Sequence, residues 1–360
     1  MRSLKNILVT GGAGFIGVNF IRFLFGEAEE KPEFTGRIIN LDNLTYAGNA
    51  GSLNEIKEKF GGSRYFFERG DICDYSVVEN IFQEYKIDTV VHFAAASHVD
   101  RSILYPEAFI KTNVLGTFTL LECARRTWQN TNDVLFHHIG TDEVYGSLSE
   151  EIHFSETATY NPRSPYSASK ASSDHLVMAY HYTYGLPVTV SNCSNNYGPY
   201  QFPEKFIPLM IINILEGKPL PVYGDGKNIR DWLYVDDHNN AIWSILKKGS
   251  KGEKYNIGGE NEWENIRLLN ELIDIVAKKT NKDADKIRST ITYVKDRPGH
   301  DRRYAIDCSK IKRELGWKQN VNFRQGIERT VDWYLVNREW LDSIRNGHYR
   351  RWIEKNYEKR

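Results

Sequence analysis

The sequence carries no surplus of charge. Lysine plus arginine and aspartate plus glutamate number 47 each. No long-range field favours nucleic acid or an anionic membrane, so an anionic ligand must be met by a local cluster of cations. Cysteine is scarce: Cys73, Cys123, Cys193 and Cys308 stand far apart, with no CxxC pair and no zinc spacing. That excludes a disulfide framework and points to reduced thiols in the cytoplasm. Long apolar runs are missing, so no membrane span is expected. The stretch "NILVT" runs straight into glycines rather than into a signal-peptide cleavage site. Repeats and low-complexity tracts are absent as well. What remains has a globular composition, 41% hydrophobic and 26% charged. Its 360 residues suffice for one large domain or two smaller ones.

The first half alternates short apolar runs with helical patterns. Strands are expected at 6–10, 37–42, 64–68, 89–93, 134–139 and 187–192, and helices at 15–26, 52–60, 75–85, 105–128 and 165–184. Nearly continuous apolar strands suit a parallel sheet covered on both faces. The fold class is therefore α/β, a Rossmann-like doubly wound parallel sheet. After residue 195 Pro, Gly and Asn become frequent, between shorter helices at 206–216, 237–248, 266–279, 309–315 and 323–346. This predicts a nucleotide-binding domain over 1–195, with a segment returning to it near 232–260. A smaller α/β substrate lobe over 196–360 would close a cleft at the sheet's carboxyl edge.

The turn "TGGAGFIG" lies between the first strand and the first helix, and Gly11, Gly14 and Gly17 fit GxxGxxG. Glycines there let the backbone turn tightly and approach a pyrophosphate, which the helix N-terminus then binds. The second strand ends in Asp42. Its carboxylate suits the adenosine ribose hydroxyls and would repel a 2′-phosphate, which favours NAD over NADP. Asp71 and Ile72, after the third strand, are candidates to flank the adenine.

"RSPYSASKASSDH" carries Tyr166 and Lys170 at i,i+4, one face of a helix that Ser164 caps and Pro165 begins. A nearby ammonium stabilises phenolate, so the tyrosine pKa should fall from about 10. Such a phenol can take a proton from a sugar hydroxyl as hydride leaves the same carbon. Lys170 can also hold the nicotinamide ribose. "HHIGTDEVYG" places Thr141, Asp142 and Glu143 after the fifth strand. It reads either as a solvated loop or as a pair of proton-transfer groups on a turn that Gly140 and Gly146 permit. His92, His137 and His138 have no cysteine or second acid at ligand spacing, so they read as packing residues or as supports behind the site, and no metal is expected.

These stretches, with "LDNLTYAGN", "SHVDRSI", "CSNNYGPYQFPEKFIP", "GKNIRDWLYVDDH", "YNIGG", "DRPGHDRRYAID" and "WIEKNYE", identify a resemblance that spans nearly the whole chain. The sequence resembles the nucleotide-sugar 4,6-dehydratases of the extended short-chain dehydrogenase/reductase family. The resemblance implies tightly bound NAD, dTDP-glucose as substrate, and a homodimer built through a four-helix bundle. Helices buried within their own subunit remain the alternative to that dimer. It implies that Tyr166 takes the C4 hydroxyl proton while hydride passes from C4 to NAD. Glu143 then removes the C5 proton as Asp142 protonates the departing C6 hydroxyl, and hydride returns to C6. Thr141 would hydrogen-bond near the C4 oxygen. Two close carboxyls disfavour each other's ionisation, so one can stay protonated near neutral pH. The family pattern further assigns Phe15, Ile16, Asn43, Thr45, Ala94, Ala95 and Thr112 to the cofactor. Ser97, Asn195, Lys205, Tyr223, Arg230, Asn265, Arg297 and His300 are assigned to the substrate.

Arginine suits the diphosphate, and "RPGHDRR" offers Arg297, Arg302 and Arg303 beside His300. Tyr223 can stack on the base. Three letters depart from the family pattern: Ala96 where Glu is expected, Gly140 where Ser is expected, and Val18 where a small hydroxyl residue is usual. The rival readings are a nucleotide-sugar 4-epimerase, a 4,6-dehydratase for another nucleotide sugar, and a non-catalytic NAD-binding regulator. The epimerase has no use for Asp142 and Glu143, and the regulator has none for an intact Tyr–Lys pair.

Overall fold

A computed structural model describes residues 2–26, 32–129, 133–148 and 152–345. The landmark "WIEKNYE" and the last residue of the helix expected over 323–346 lie outside them. The expected strands form to within two residues: β1 (Asn6–Thr10), β2 (Arg37–Asp42), β3 (Tyr65–Arg69), β4 (Thr89–His92), β5 (Leu135–Thr141) and β6 (Val188–Cys193). Between them run α1 (Phe15–Leu24), α2 (Asn54–Phe60) and α3 (Tyr75–Tyr85). Helix α2 is preceded by a 3₁₀ turn at Ala50–Leu53, inside the span expected as one helix.

The strands form one parallel sheet in the order β3-β2-β1-β4-β5-β6, extended by a seventh strand from the second half, β10 (Glu253–Ile257). Both faces are buried, which is why the strands lack polar alternation. Leu8, Ile39, Val90, Phe136 and Val188 pack on one side. Ile7, Val9, Ile38, Val91 and Leu135 pack on the other. Strand order reverses between β1 and β4; Ile7 to Thr10 of β1 pair in parallel with β2 on one side and β4 on the other. In such sheets ligands bind beyond the carboxyl ends at that reversal.

A helix not expected from the sequence comes first, α4 (Val99–Leu104). The span expected over 105–128 then forms without a gap as α5 (Pro106–Phe109), a π-helical stretch Ile110–Leu115, and α6 (Gly116–Thr127). Proline cannot continue a preceding helix, and Pro106 restarts the chain at N1 of α5. Helix α7 (Pro165–Tyr184) forms with the expected bounds, closed by a Ser164–Ser167 capping box.

Beyond β6 come β7 (Asn195–Tyr197), α8 (Phe206–Glu216), β8 (Leu220–Tyr223), β9 (Ile229–Tyr234) and α9 (Val235–Lys248). Helix α9 leads back to the large sheet, where β10 pairs with β6. The chain then returns through β11 (Glu262–Glu264) and α10 (Asn265–Thr280). A separate core built on Ile207, Ile211, Leu269, Ile273, Val331 and Tyr334 holds these helices together. The span expected as one helix at its end is two, Phe323–Val336 and Arg338–Ile344. Among the described residues no helix is long and apolar enough to cross a membrane.

Candidate active site

The glycine turn is shaped by close approach. Gly11 has φ +72, and a Cβ there would fall 2.7 Å from the Ala94 backbone. A Cβ on Gly17 would fall 2.4 Å from the Gly11 carbonyl. Helix α1 starts at Gly14 with no side-chain cap and no acid in its first turn. Phe15 and Ile16 open it. Its terminal N–H groups and dipole are therefore left for an anion. Asp42 is buried, accepting from Ala13 N at 2.9 Å and Leu44 N at 2.8 Å, which ties the end of β2 to the turn. Burial raises its pKa, and the two backbone N–H groups oppose that. Asn43 donates to Asp71 at 3.3 Å, and Asp71 caps the turn through Cys73 N, placing buried Ile72 behind it. Thr45 lies in the same loop, and Ala94 and Ala95 follow β4. Thr112 lies in the π-helical stretch. The turn, the uncapped helix and the strand-end carboxylate fit NAD.

One residue that the sequence did not single out supports this edge. Asn113 clamps the Ala96 backbone with two hydrogen bonds, 2.8 and 3.0 Å, and donates to Ser169 on α7 at 2.8 Å. Val18, the apolar departure in the turn, packs in the core beneath it at 1% exposure.

Thr141 ends β5, and Asp142–Tyr145 form a 3₁₀ turn whose N-cap is Thr141. Gly146 ends it at φ +84, where a Cβ would meet the Asn161 carbonyl at 2.4 Å. Gly140 contributes nothing to the turn, contrary to expectation; it is an ordinary residue of β5. Its importance is spatial: a Cβ would fall 2.5 Å from Asn192 Nδ2 and 3.2 Å from Asp174 Oδ1.

The two acids differ in surroundings. Asp142 is 2% exposed; the Thr141 hydroxyl donates to its Oδ1 at 3.4 Å and its Oδ2 has no partner. Burial, then Glu143 and Asp231, push its pKa well up. Burial raises Glu143 as well, but Lys205, Arg230 and Arg297 oppose this by favouring its carboxylate. So the geometry favours the protonated form of Asp142 and places cations around Glu143.

Tyr166 and Lys170 are both buried on α7. The expected fall in the Tyr166 pKa is not found. Burial and then Glu143 push it well above 10, with a Thr141 hydrogen bond opposing. Burial outweighs any help from Lys170, whose Nζ donates to the Ile139 carbonyl at 2.7 Å and lies 3.3 Å from His138 Nε2. The three histidines are buried in hydrogen-bonded settings. His92 meets Thr10 and Thr117, and His137 meets Thr189 and Ser191. Burial lowers all three pKa values, to about 3 for His137 and about 4 for His138.

Glu143 opens onto a cleft between the sheet edge and the second lobe. Seven expected substrate residues line it: Asn195, Lys205, Tyr223, Arg230, Asn265, Arg297 and His300. Ser97 stands beside it, its carbonyl accepting from Lys205 Nζ at 3.0 Å. Arg297 lies over the Tyr223 ring at 4.8 Å and 3.3 Å from Asp100. Arg302 and Arg303, by contrast, are taken up by Asp225 and Glu262 and do not line the cleft. Pocket residues not anticipated include Asn196, Gln201, Glu204 and Trp232. The sequence signal for Asn196, Gln201 and Glu204 was the polar density of "NNYGPYQFPEK"; Trp232 lies in "NIRDW".

A family model described as GDP-mannose 4,6 dehydratase matches residues 8–330. A dTDP-glucose 4,6-dehydratase of Salmonella typhimurium is 53% identical, over 98% of this chain and 99% of its own. One from Xanthomonas campestris is 54% identical, over 95% and 97%. Among solved structures, a dTDP-glucose 4,6-dehydratase from Streptomyces venezuelae with NAD bound matches with TM-score 0.85 and 44% identity, over 94% of this chain and 99% of that one. A UDP-glucose 4-epimerase from Thermotoga maritima matches with TM-score 0.79 and 29% identity, over 93% and 99%.

Proposed function

The chain belongs to the GDP-mannose 4,6-dehydratase family of extended short-chain dehydrogenases, and on that premise we propose that it converts dTDP-glucose to dTDP-4-keto-6-deoxyglucose and water. It is an NAD-dependent hydro-lyase. One observation carries the assignment of roles: Asp142 and Glu143 are adjacent yet electrostatically unlike, Asp142 feeling Glu143 and Asp231 more than Arg230, and Glu143 feeling Lys205, Arg230 and Arg297 more than Asp301.

Bound NAD supplies the hydride acceptor for C4 and the donor for C6. The Gly11–Gly17 turn, the α1 N-terminus and Asp42 hold it, with Asn43, Thr45, Asp71, Ile72, Ala94, Ala95 and Thr112 along the same edge. Tyr166 takes the C4 hydroxyl proton, and Thr141 hydrogen-bonds at the C4 oxygen. The C4 ketone acidifies C5–H. Glu143, kept ionisable by Lys205, Arg230 and Arg297, removes that proton. Asp142, kept protonated by burial and like charge, donates to the departing C6 hydroxyl, so the pair performs base and acid work in one elimination. Arg230 and Arg297 meet the diphosphate, and Tyr223 stacks on the base.

The working unit is a homodimer. Ile103, Leu104, Tyr105, Ile110, Leu115 and Phe118 leave an apolar surface on α4–α6, and Tyr182 and Tyr184 continue it on α7, all between 37% and 77% exposed. Joining α6 and α7 of two copies covers this surface. The four free thiols suit the cytoplasm.

Reaction with dTDP-glucose in deuterated water tests the function. Dehydration places deuterium at C5 of a 4-keto-6-deoxy product. Recovery of a C4 epimer without C5 deuterium would establish the epimerase instead.

A further inference from the structure

Helix α7 carries a third ionisable group on the face shared by Tyr166 and Lys170. Asp174 follows Lys170 at i,i+4 and is 1% exposed. Its Oδ2 accepts from Tyr160 OH at 2.8 Å and Asn192 Nδ2 at 2.9 Å. Its Oδ1 lies 3.3 Å from His138 Nε2, the same nitrogen that lies 3.3 Å from Lys170 Nζ. The same Asn192 amide nitrogen reaches the Thr141 carbonyl at 3.2 Å. Gly140 makes this arrangement possible, since a Cβ there would intrude on both Asn192 and Asp174. A buried network thus joins the start of the acidic turn to the lysine below the tyrosine.

We propose that Asp174, held by Asn192 and Tyr160 and bridged by His138, is a positioning residue that keeps the Lys170 ammonium charged and fixed one turn below Tyr166. This rests on the oxidation of C4 assigned above.

Lys170 is 4% exposed, and a buried ammonium persists as a cation only beside a compensating charge. The groups facing it are Tyr166 and Asp174 on its own helix, His138 from β5, His92 from β4 and Cys193 from β6. His138 is held neutral, its pKa pushed to about 4 by burial and by Lys170. Cys193 is pushed up to about 12 by burial and Asp142 and stays a thiol. Asp174 is therefore the carboxylate that offsets the desolvation of Lys170. Around Asp174 itself stand Tyr145, Tyr160 and, from β10, Lys254. The charge on Lys170 matters because burial and Glu143 make Tyr166 a reluctant phenolate. A cation on the same helix face favours the phenolate that Tyr166 must present to take the C4 hydroxyl proton.

Asp174→Asn separates this role from packing. The amide keeps the shape: its oxygen accepts from Tyr160 and Asn192, and its NH₂ faces the His138 nitrogen. Only the charge is lost. C4 oxidation is followed in single turnover through the absorbance of reduced cofactor, across pH, alongside KM, bound NAD and the melting temperature. Expected are an unchanged KM and an alkaline limb moved to lower pH by about one unit, with the rate on that limb down about tenfold. Tyr160→Phe, which removes one donor to Asp174 without touching α7, moves the same limb in the same direction by less. A folded Asp174→Asn with the wild-type pH profile overturns the proposal; should that variant not fold, an unmoved limb in Tyr160→Phe does so. If wild-type protein made no 4-keto-6-deoxy product, the functional reading would fail instead, and the two failures are distinct.

Discussion

The protonation of Asp142 can be measured through stability. The group is 2% exposed, its Oδ2 is unpartnered, and Glu143 and Asp231 surround it, so its folded pKa lies well above the unfolded value near 4. Between those two values the folded protein keeps a proton that the unfolded chain has released. Stability is then whole below about pH 4 and falls by about 1.4 kcal/mol for each pH unit until the folded pKa is reached. Asparagine cannot ionise, so Asp142→Asn lacks this loss. The amide adds an unpaired donor at a cost of about 1–3 kcal/mol, which does not vary with pH. An unfolding entropy of about 2.1 cal/mol/K per residue gives about 0.75 kcal/mol/K for this chain of 360 residues. The Tm of the variant relative to wild type should therefore rise by about 2 °C per pH unit. Calorimetric scans of both proteins between roughly pH 5 and 8 measure this. A Tm difference that does not change with pH would refute the reasoning, because Asp142 would then titrate as it does in the unfolded chain.

Glu143→Gln should still oxidise C4, seen as reduced cofactor, while product and C5 deuterium exchange fall about 10²–10⁴-fold; exchange at the wild-type rate would remove Glu143 as the base. Gly17→Ala should lose NAD during purification and destabilise the protein by about 1–3 kcal/mol, since its Cβ would lie 2.4 Å from a carbonyl oxygen; NAD content and Tm read both effects. Phe118→Asp places a charge on the exposed apolar face and should convert a dimer to monomers in sedimentation. A dimer of undiminished affinity would move the interface elsewhere.

The sheet was legible because strands buried on two faces announce themselves as apolar runs. The six expected strands each lie within two residues of their expected place, while β10 was foreseen only as a segment returning near 232–260. The 105–128 region was legible as helix, but its π-helical stretch Ile110–Leu115 was not, because hydrogen-bond register rather than hydrophobicity determines it. At the site, residue types drew attention to Glu143 and to the arginine cluster around Arg297, and the family resemblance named the substrate residues that meet in the cleft. Spacing did not reveal what each group faces. Lys170 sits one turn from Tyr166 yet spends its hydrogen bonds on Ile139 and His138, residues of another element. Arg302 and Arg303 look equivalent to Arg297 in sequence, but carboxylates from the second lobe capture them. Gly140 looked like a turn residue and is instead a gap left for Asn192.

The strand that completes the large sheet, β10, has a consequence for biosynthesis. Its partner β6 ends at Cys193, and β10 ends at Ile257. At about 5–20 residues per second, the ribosome needs roughly 3–13 s to make the intervening chain. During that interval β6 is an open edge of the nascent domain, rich in Val and flanked by apolar packing, and so able to pair with a neighbouring chain. The first lobe cannot finish folding before the chain has been made through Ile257, well into the second half, so a truncation after residue 195 would leave a sticky fragment rather than a soluble nucleotide-binding domain.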